Sequence, residues 1–250
     1  MMLHELSEKP ADAQSFQQHI EAGCTRKCDA IERSFRMYQI LVYADSLSWG
    51  IVPGTRTRYG FEQRWPGIVE QELQKKGRSL RMIEDCLNDR RTAWEDPFKP
   101  GHNGLYGLEQ RIEINSPLSL VVIFLGTNDF QSVHRFNAWQ SAQGLGAIVS
   151  AIRRAPIEPG MAIAEILLIA PPEITKAKGT MAQKFDGAEI KAQGLRDAIE
   201  AIARELGCKF FDAGSVTETS KIDGVHLDPD QHVKLGHALA SAIDRLLPAD

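Results

Sequence analysis

The sequence predicts a three-layer α/β/α sandwich built around a five-stranded parallel sheet. Five short runs are almost continuously apolar, as expected for strands that are buried on both faces of a parallel sheet. Between them lie longer segments whose apolar residues recur at three- and four-residue spacing, as in amphipathic helices. Short strands that alternate with helices are typical of doubly wound α/β folds.

The elements follow in a simple order along the chain. The predicted strands are YQILVY at 38–43, LRMIE at 80–84, LVVIFL at 120–125, EILLIA at 165–170 and CKFF at 208–211. The predicted helices cover about 61–76, 137–154, 187–206 and 229–246. The last helix has the clearest start, because Asp228 can cap it and Pro229 takes its first position, where a missing N–H costs nothing.

An additional segment precedes the first strand. Residues 11–36 carry apolar side chains at roughly helical spacing, namely Phe16, Ile20, Cys24, Ile31 and Phe35. We therefore expect a helical extension over residues 1–37, followed by a main domain over residues 38–250.

Charge and composition exclude several classes of partner. The 29 basic and 33 acidic residues are intermixed and leave a net charge of -4, so no broad positive surface is expected for nucleic acid. No apolar run approaches the ~20 residues that a bilayer crossing needs. The N-terminus lacks an apolar signal-peptide core, which favours a cytoplasmic location. Four cysteines are too few for a disulfide framework.

Chemically useful side chains follow three of the predicted strands. Ser46 comes after the first strand, Asn128 after the third, and Asp223 with His226 after the fifth. In a doubly wound sheet these strand ends line one crevice. Acyl transfer needs such a set: a nucleophile, a base, a carboxylate that orients the base, and neutral donors for the oxyanion.

Three segments together carry a family resemblance over about residues 38–247. Asp45-Ser46-Leu47, Gly126-Thr127-Asn128-Asp129 and Asp223-Gly224-Val225-His226 resemble blocks I, III and V of the GDSL/SGNH hydrolases. The resemblance implies a flavodoxin-like SGNH hydrolase fold. SLSWG at 46–50, RW at 64–65, EDP at 95–97, NG at 103–104 and FDAGSV at 211–216 are similar to the arylesterase and acyltransferase branch, whose members move small acyl groups, acetyl especially.

The resemblance also implies roles for individual residues. Ser46 would be the nucleophile and His226 the general base, with Asp223 holding the imidazole. The oxyanion hole would consist of the backbone N–H groups of Ser46 and Asp89 and the side-chain amide of Asn128. The substrate would be a small-molecule ester, and the reaction would need neither a metal nor an organic cofactor.

Three positions depart from the family pattern. Ala44 and Cys86 stand where relatives usually have glycine, and Asp89 stands where they have glycine or alanine. A carboxylate beside the developing oxyanion would oppose the charge that the site stabilises. We therefore expect the Asp89 side chain to turn away and to pair with Arg90 or Arg91.

The substrate pocket and the function are left with alternatives. Trp49, Phe130, Ile174 and Phe185 are predicted walls of an acyl pocket, although core packing explains aromatic residues equally well. The favoured function is cleavage of short-chain oxygen esters through an acyl-Ser46 intermediate. The alternatives are a carbohydrate acetylesterase or thioesterase on the same triad, or a non-catalytic binding protein on a decayed hydrolase fold. Because related enzymes narrow their acyl channel by subunit packing, we also expect a homo-oligomer in which the N-terminal extension makes contacts.

Overall fold

The computed structural model describes residues 37–248, in which five strands form one sheet. The strands are β1 (Tyr38–Ala44), β2 (Leu80–Cys86), β3 (Leu120–Phe124), β4 (Glu165–Ala170) and β5 (Lys209–Asp212). They lie in the order β2-β1-β3-β4-β5, and every neighbouring pair is parallel. The predicted parallel sheet is confirmed, with β1 and β2 extending slightly beyond their predicted ends.

Helices cover both faces of this sheet. They are α1 (Ser46–Trp49), α2 (Trp65–Lys75), α3 (Leu108–Asn115), α4 (Ala138–Arg154), α5 (Ala188–Lys191), α6 (Leu195–Glu205) and α7 (Pro229–Asp244). The apolar sides of α3, α4 and α6 form one core with one face of the sheet. Those of α2 and α7 form a second core with the other face. The predicted three-layer α/β/α sandwich is therefore confirmed.

Two helical predictions differ from the structure. The segment 187–206 is divided into α5 and α6, because Gly194 adopts a left-handed φ of 81° between them. The long connection at 86–115 contains α3, which begins after Gly107 in another left-handed conformation. Glycine reaches this region of φ without the steric cost that other residues meet, so both residues can set a sharp helix start.

α7 begins at the predicted residue, but the predicted capping hydrogen bond is not formed. Pro229 is the first helical residue and Asp228 precedes it, yet the Asp228 side chain caps no helix N–H. Its carboxylate instead accepts a 2.8 Å hydrogen bond from the Ser220 hydroxyl. A Cβ built on Gly236 would lie 2.6 Å from a methyl carbon of Ile68, so α7 packs very closely against α2. This packing fixes the loop that enters α7 at the edge of the sheet.

Residues 1–36 and 249–250 lie outside the described part of the chain. The predicted helix at 11–36, the boundary of the N-terminal extension at residue 37 and its contacts in an oligomer therefore stay predictions. Between residues 37 and 248, no helix combines the length and the apolarity that a membrane crossing requires.

Candidate active site

Ser46 is the first residue of α1, immediately after β1. Asp45 caps this short helix, and its Oδ1 accepts a hydrogen bond of 3.0 Å from the Leu47 N–H. Gly50 ends the helix in a left-handed conformation with φ of 83°. One helical turn held at both ends thus places the serine where β1 ends. There it lines a cavity of about 290 Å³.

Asp223 and His226 lie in the loop that leads into α7. The Asp223 Oδ2 is 2.7 Å from the His226 Nδ1. Its Oδ1 accepts the backbone N–H groups of Val225 at 3.0 Å and of His226 at 2.9 Å. The N–H of Gly54, from a distant loop, donates to Oδ2 at 3.3 Å. Four hydrogen bonds therefore hold this carboxylate in one orientation against the imidazole.

The charge of Asp223 follows from these bonds. Burial by itself opposes ionisation, but the hydrogen bonds and the charge of His226, with the two backbone N–H groups, lower the Asp223 pKa to about 2. The group is therefore an anion near neutral pH. An anionic acceptor at Nδ1 keeps the proton on that nitrogen and leaves Nε2 free to act as a base.

Ser46 and His226 line the same cavity. Within residues 37–248, no hydrogen bond is made by the Ser46 hydroxyl or by the His226 Nε2. Hydrogen bonds between catalytic groups are often long without substrate and shorten when substrate binds. The arrangement therefore brings a serine hydroxyl and an imidazole nitrogen to one cavity, and neither atom is used in another hydrogen bond.

The backbone N–H groups of Ser46 and of Asp89 also have no hydrogen-bond acceptor among the described residues. Both residues line the cavity. Asp89 has φ of 65°, and no other non-glycine residue in the described range has a positive φ. Aspartate is one of the few side chains that tolerate this conformation. Asp89 therefore keeps the left-handed turn although relatives have glycine or alanine at this position.

The Asp89 carboxylate has a different partner from the one that the sequence led us to expect. It forms ion pairs with Lys99 and Lys184, which come from two separate loops. Arg90 instead pairs with Asp85 at 2.7 Å. The Arg91 guanidinium donates to the backbone carbonyl of Asp89, at 2.9 Å, and not to its carboxylate. The expected arginine partner is therefore wrong.

The two lysines determine the charge of Asp89. Burial opposes ionisation, but the hydrogen bonds and charges of Lys184 and Lys99 outweigh it and lower the Asp89 pKa to about 2. The carboxylate is thus ionised and neutralised by neighbouring ammonium groups. This pairing removes the repulsion that an unpaired carboxylate would exert on an oxyanion.

Asn128 follows β3 and is almost fully buried. Its Nδ2 donates to the Asp45 Oδ2 at 2.9 Å and to the Arg90 carbonyl at 3.3 Å. Its Oδ1 accepts from the Gln131 amide at 2.8 Å, which fixes the orientation of the group. Donation to a substrate oxygen would therefore replace the longer bond, the one to the Arg90 carbonyl.

Asp45 is a second buried carboxylate at the site, with no exposed surface. Burial raises its pKa to about 7, although the hydrogen bonds from Leu47 and Asn128 act in the opposite direction. Asp129 is similar: burial raises its pKa to about 6 against bonds from Ser141 and Thr92. Both carboxylates fasten neighbouring segments through these hydrogen bonds.

The four predicted pocket residues divide into two pairs. Trp49 and Phe185 line the cavity that contains Ser46. Phe130 is completely buried in the core beneath α4 and does not reach this cavity. Ile174 packs against the same core and borders a separate cavity of about 340 Å³. Phe130 and Ile174 are therefore corrected as wall residues, because the core directs neither of them into the cavity that contains Ser46.

The two other departures from the family pattern are structurally neutral. Ala44 and Cys86 end neighbouring strands and pair with each other in register. Neither has a positive φ. An extended strand does not require glycine, and so both side chains fit the sheet.

Reasoning from the sequence missed Gly54, Lys99 and Lys184. Gly54 binds Asp223 across 169 residues of sequence, and Lys184 binds Asp89 across 95. No local pattern signals such contacts, because they depend on the paths of long loops.

A serine at the end of β1 and a hydrogen-bonded Asp–His pair in the loop before α7, on an α/β/α sandwich, are typical of a serine hydrolase. Comparison with known protein families gives the same result. Residues 45–237 match the GDSL-like lipase/acylhydrolase family. The chain belongs to this family and is a serine ester hydrolase, so the alternative of a purely non-catalytic protein is not supported.

Solved structures provide further relatives. An aryl esterase from M. smegmatis is 33% identical, with a TM-score of 0.79 over 84% of this chain and 100% of that chain. A carbohydrate acetylesterase from Sinorhizobium meliloti is 31% identical, with the same TM-score and the same coverage of both chains. No curated protein sequence matches this chain significantly.

Proposed function

We propose that the protein cleaves short-chain oxygen esters, acetyl esters above all, through an acyl-Ser46 intermediate. The observation that carries this proposal is the 2.7 Å pair of Asp223 and His226 beside the cavity that Ser46 lines. The free N–H groups of Ser46 and Asp89 support it, because they offer two neutral donors at the same cavity.

In the first half of the reaction, His226 Nε2 removes the proton from the Ser46 hydroxyl as the oxygen attacks the ester carbonyl. Asp223 stabilises the imidazolium that results. The carbonyl oxygen becomes an oxyanion and accepts hydrogen bonds from the N–H groups of Ser46 and Asp89. Asn128 contributes a third bond when its Nδ2 releases the Arg90 carbonyl.

The tetrahedral intermediate then collapses, and the bond to the leaving oxygen breaks. His226 donates its proton to that oxygen, so the alcohol leaves as a neutral molecule and Ser46 holds the acyl group. Water enters, His226 removes its proton, and attack on the acyl-enzyme releases the carboxylic acid and restores the serine. An alcohol in place of this water would give acyl transfer by the same steps.

The size of the cavity and the two structural relatives support a small acyl group. A volume of about 290 Å³ lies at the lower end of the range for small-molecule sites. One relative is a carbohydrate acetylesterase and the other an aryl esterase. Both names describe cleavage of an ester, and they differ in the alcohol part of that ester. An acetyl ester of an aryl or carbohydrate hydroxyl is therefore the substrate class that we propose.

Hydrolysis of p-nitrophenyl acetate tests the mechanism directly. Ser46→Ala and His226→Ala should each lower kcat on the order of 10⁵-fold, because the two residues act as a unit on one step. Ser241→Ala is the matched control, since Ser241 is an exposed serine on α7 whose hydroxyl bonds only the His237 carbonyl.

Circular dichroism should show the same fold for all three variants. A folded Ser46→Ala protein that hydrolyses the ester at the wild-type rate would refute the proposed nucleophile. Mass spectrometry after rapid acid quenching should in addition detect a covalent acetyl group on wild-type Ser46.

A further inference from the structure

Asp89, Lys99 and Lys184 form a cluster of ion pairs at one side of the active-site cavity, which we call the ion-pair bridge. Lys99 belongs to the loop that follows β2, and Lys184 to the loop that follows β4. The Asp89 side chain is only 13% exposed, whereas the two lysines retain partial contact with solvent. The bridge therefore joins two long loops through one nearly buried carboxylate.

A second cavity of about 430 Å³ lies on the other side of this bridge. Asp89, Lys99, Lys184 and Thr180 line both this outer cavity and the active-site cavity. Four shared residues show that the two cavities are neighbours with a common wall. The ion-pair bridge supplies three of the four side chains in that wall.

The outer cavity has the surface that an alkyl chain requires. Phe98 and Val133 line it and are 80% and 40% exposed, so their apolar surface is not used by the core. The aliphatic stems of Lys99 and Lys184 add apolar surface at the wall itself. An acyl chain that passed the wall would bury its methylene groups against these side chains.

We propose that the ion-pair bridge limits the length of the acyl group, and that the outer cavity behind it accepts longer acyl chains once the bridge is opened. The inference rests on the proposed function. It explains why the site would be restricted to short acyl groups although apolar space lies next to it. The bridge acts by shape, since its charges are paired with one another.

Truncation of one lysine tests the wall. The ratio of kcat/KM for p-nitrophenyl hexanoate to that for p-nitrophenyl acetate should rise about tenfold or more in Lys184→Ala and in Lys99→Ala. Burial of two methylene groups would account for a change of this size. Hydrolysis of p-nitrophenyl acetate should itself fall in both variants, because one ammonium group fewer then neutralises Asp89 beside the oxyanion. The ratio removes this loss, since both esters form the same oxyanion.

Two further variants distinguish loss of the wall from a general disturbance of the loops. Lys184→Arg retains a cation that can reach Asp89 and should keep the wild-type ratio. Lys176→Ala removes an exposed lysine from the same loop, one that lines neither cavity, and should also keep it.

Salt tests the same idea without any substitution. Sodium chloride at 1 M screens partly exposed ion pairs and should raise the hexanoate-to-acetate ratio of the wild type, but not that of Lys184→Ala. An unchanged ratio in both folded alanine variants, or in the wild type across the salt series if they do not fold, would overturn the inference. Absence of Ser46-dependent acetate hydrolysis in the wild type would instead refute the proposed function.

Discussion

Two buried carboxylates belong to the proposed site, and the structure gives them opposite pKa shifts. Asp45 is fully buried at the end of β1 and has a pKa raised to about 7. Asp223 is almost as buried in the loop before α7 and has a pKa lowered to about 2. Burial disfavours ionisation of both carboxylates and does so more strongly for Asp45, and their partners account for the rest of the difference.

The number and kind of donors add to the effect of burial. Asp45 accepts one backbone N–H and one side-chain amide. Asp223 accepts three backbone N–H groups and faces the ring nitrogen of His226, a group that becomes a cation during the reaction. The comparison indicates that Asp45 organises the site through geometry, whereas the proposed mechanism uses the negative charge of Asp223.

The largest expected effect comes from neutralising Asp223. Asp223→Asn should lower kcat on p-nitrophenyl acetate about 10⁴-fold, because an amide can favour the wrong tautomer of His226 and cannot stabilise the imidazolium. Asp230→Asn is the control, since Asp230 lies seven residues away in the exposed first turn of α7. Loss of less than tenfold in a folded Asp223→Asn protein would show that its charge is not used.

A second effect, on stability, distinguishes Asp45. Its folded pKa lies above that of the unfolded chain, so the folded state binds the proton more tightly and stability falls as pH rises from about 4 to about 7. At ~1.4 kcal/mol per pKa unit, the folded protein loses about 4 kcal/mol of stability over this pH range through Asp45. Asp45→Asn cannot ionise and should therefore lose this part of the pH dependence.

Urea unfolding at pH 5 and at pH 8 measures this contribution. The free energy of unfolding of Asp45→Asn, relative to the wild type, should increase between the two pH values. Any constant cost of the substitution cancels in that comparison. Asp223→Asn should show no such increase, because stability from a lowered pKa is lost only as pH falls from about 4 through about 2. Equal behaviour of the two variants would contradict the comparison.

The smallest effect concerns the third N–H donor to Asp223. Gly54 has φ of 74°, and a Cβ there would lie 2.9 Å from a methyl carbon of Ile222. Gly54→Ala should therefore shift this N–H and lower kcat/KM about tenfold, as expected for weakened support of a charged group. Gly77→Ala is a matched control, because Gly77 has φ of 85° with no atom within 4 Å of the added Cβ. If both variants lose activity equally, backbone strain is the cause and not the bond to Asp223.

The sequence predicted the parts of the molecule that depend on local pattern. Buried strands and amphipathic helices leave periodic signals, and the ends of parallel strands necessarily share one edge of the sheet. The sequence alone therefore assigned one site to Ser46, Asn128 and the loop with Asp223 and His226. The family resemblance supplied their roles, because residue spacing alone does not distinguish a nucleophile from a capping serine.

The features that could not be predicted depend mainly on the paths of the long loops. The partners of Asp89 could not be predicted because Lys99 and Lys184 approach from two loops whose paths leave no periodic signal. Phe130 was misplaced for a related reason: an aromatic residue after a strand can enter the core or the pocket, and only the packing beneath α4 decides. Asp228 occupied its predicted position but bonded Ser220, since a short side chain takes the nearest donor.

The close packing of α7 on α2 has a consequence for the synthesis of the protein. Ser46 leaves the ribosome before four of the five strands, whereas His226 and the helix that fixes it follow the last strand. All five strands are therefore synthesised before the proposed nucleophile can meet its proposed base. Under the proposed mechanism, a chain that ended before His226 would carry an inert serine, and ester turnover would report that α7 has docked.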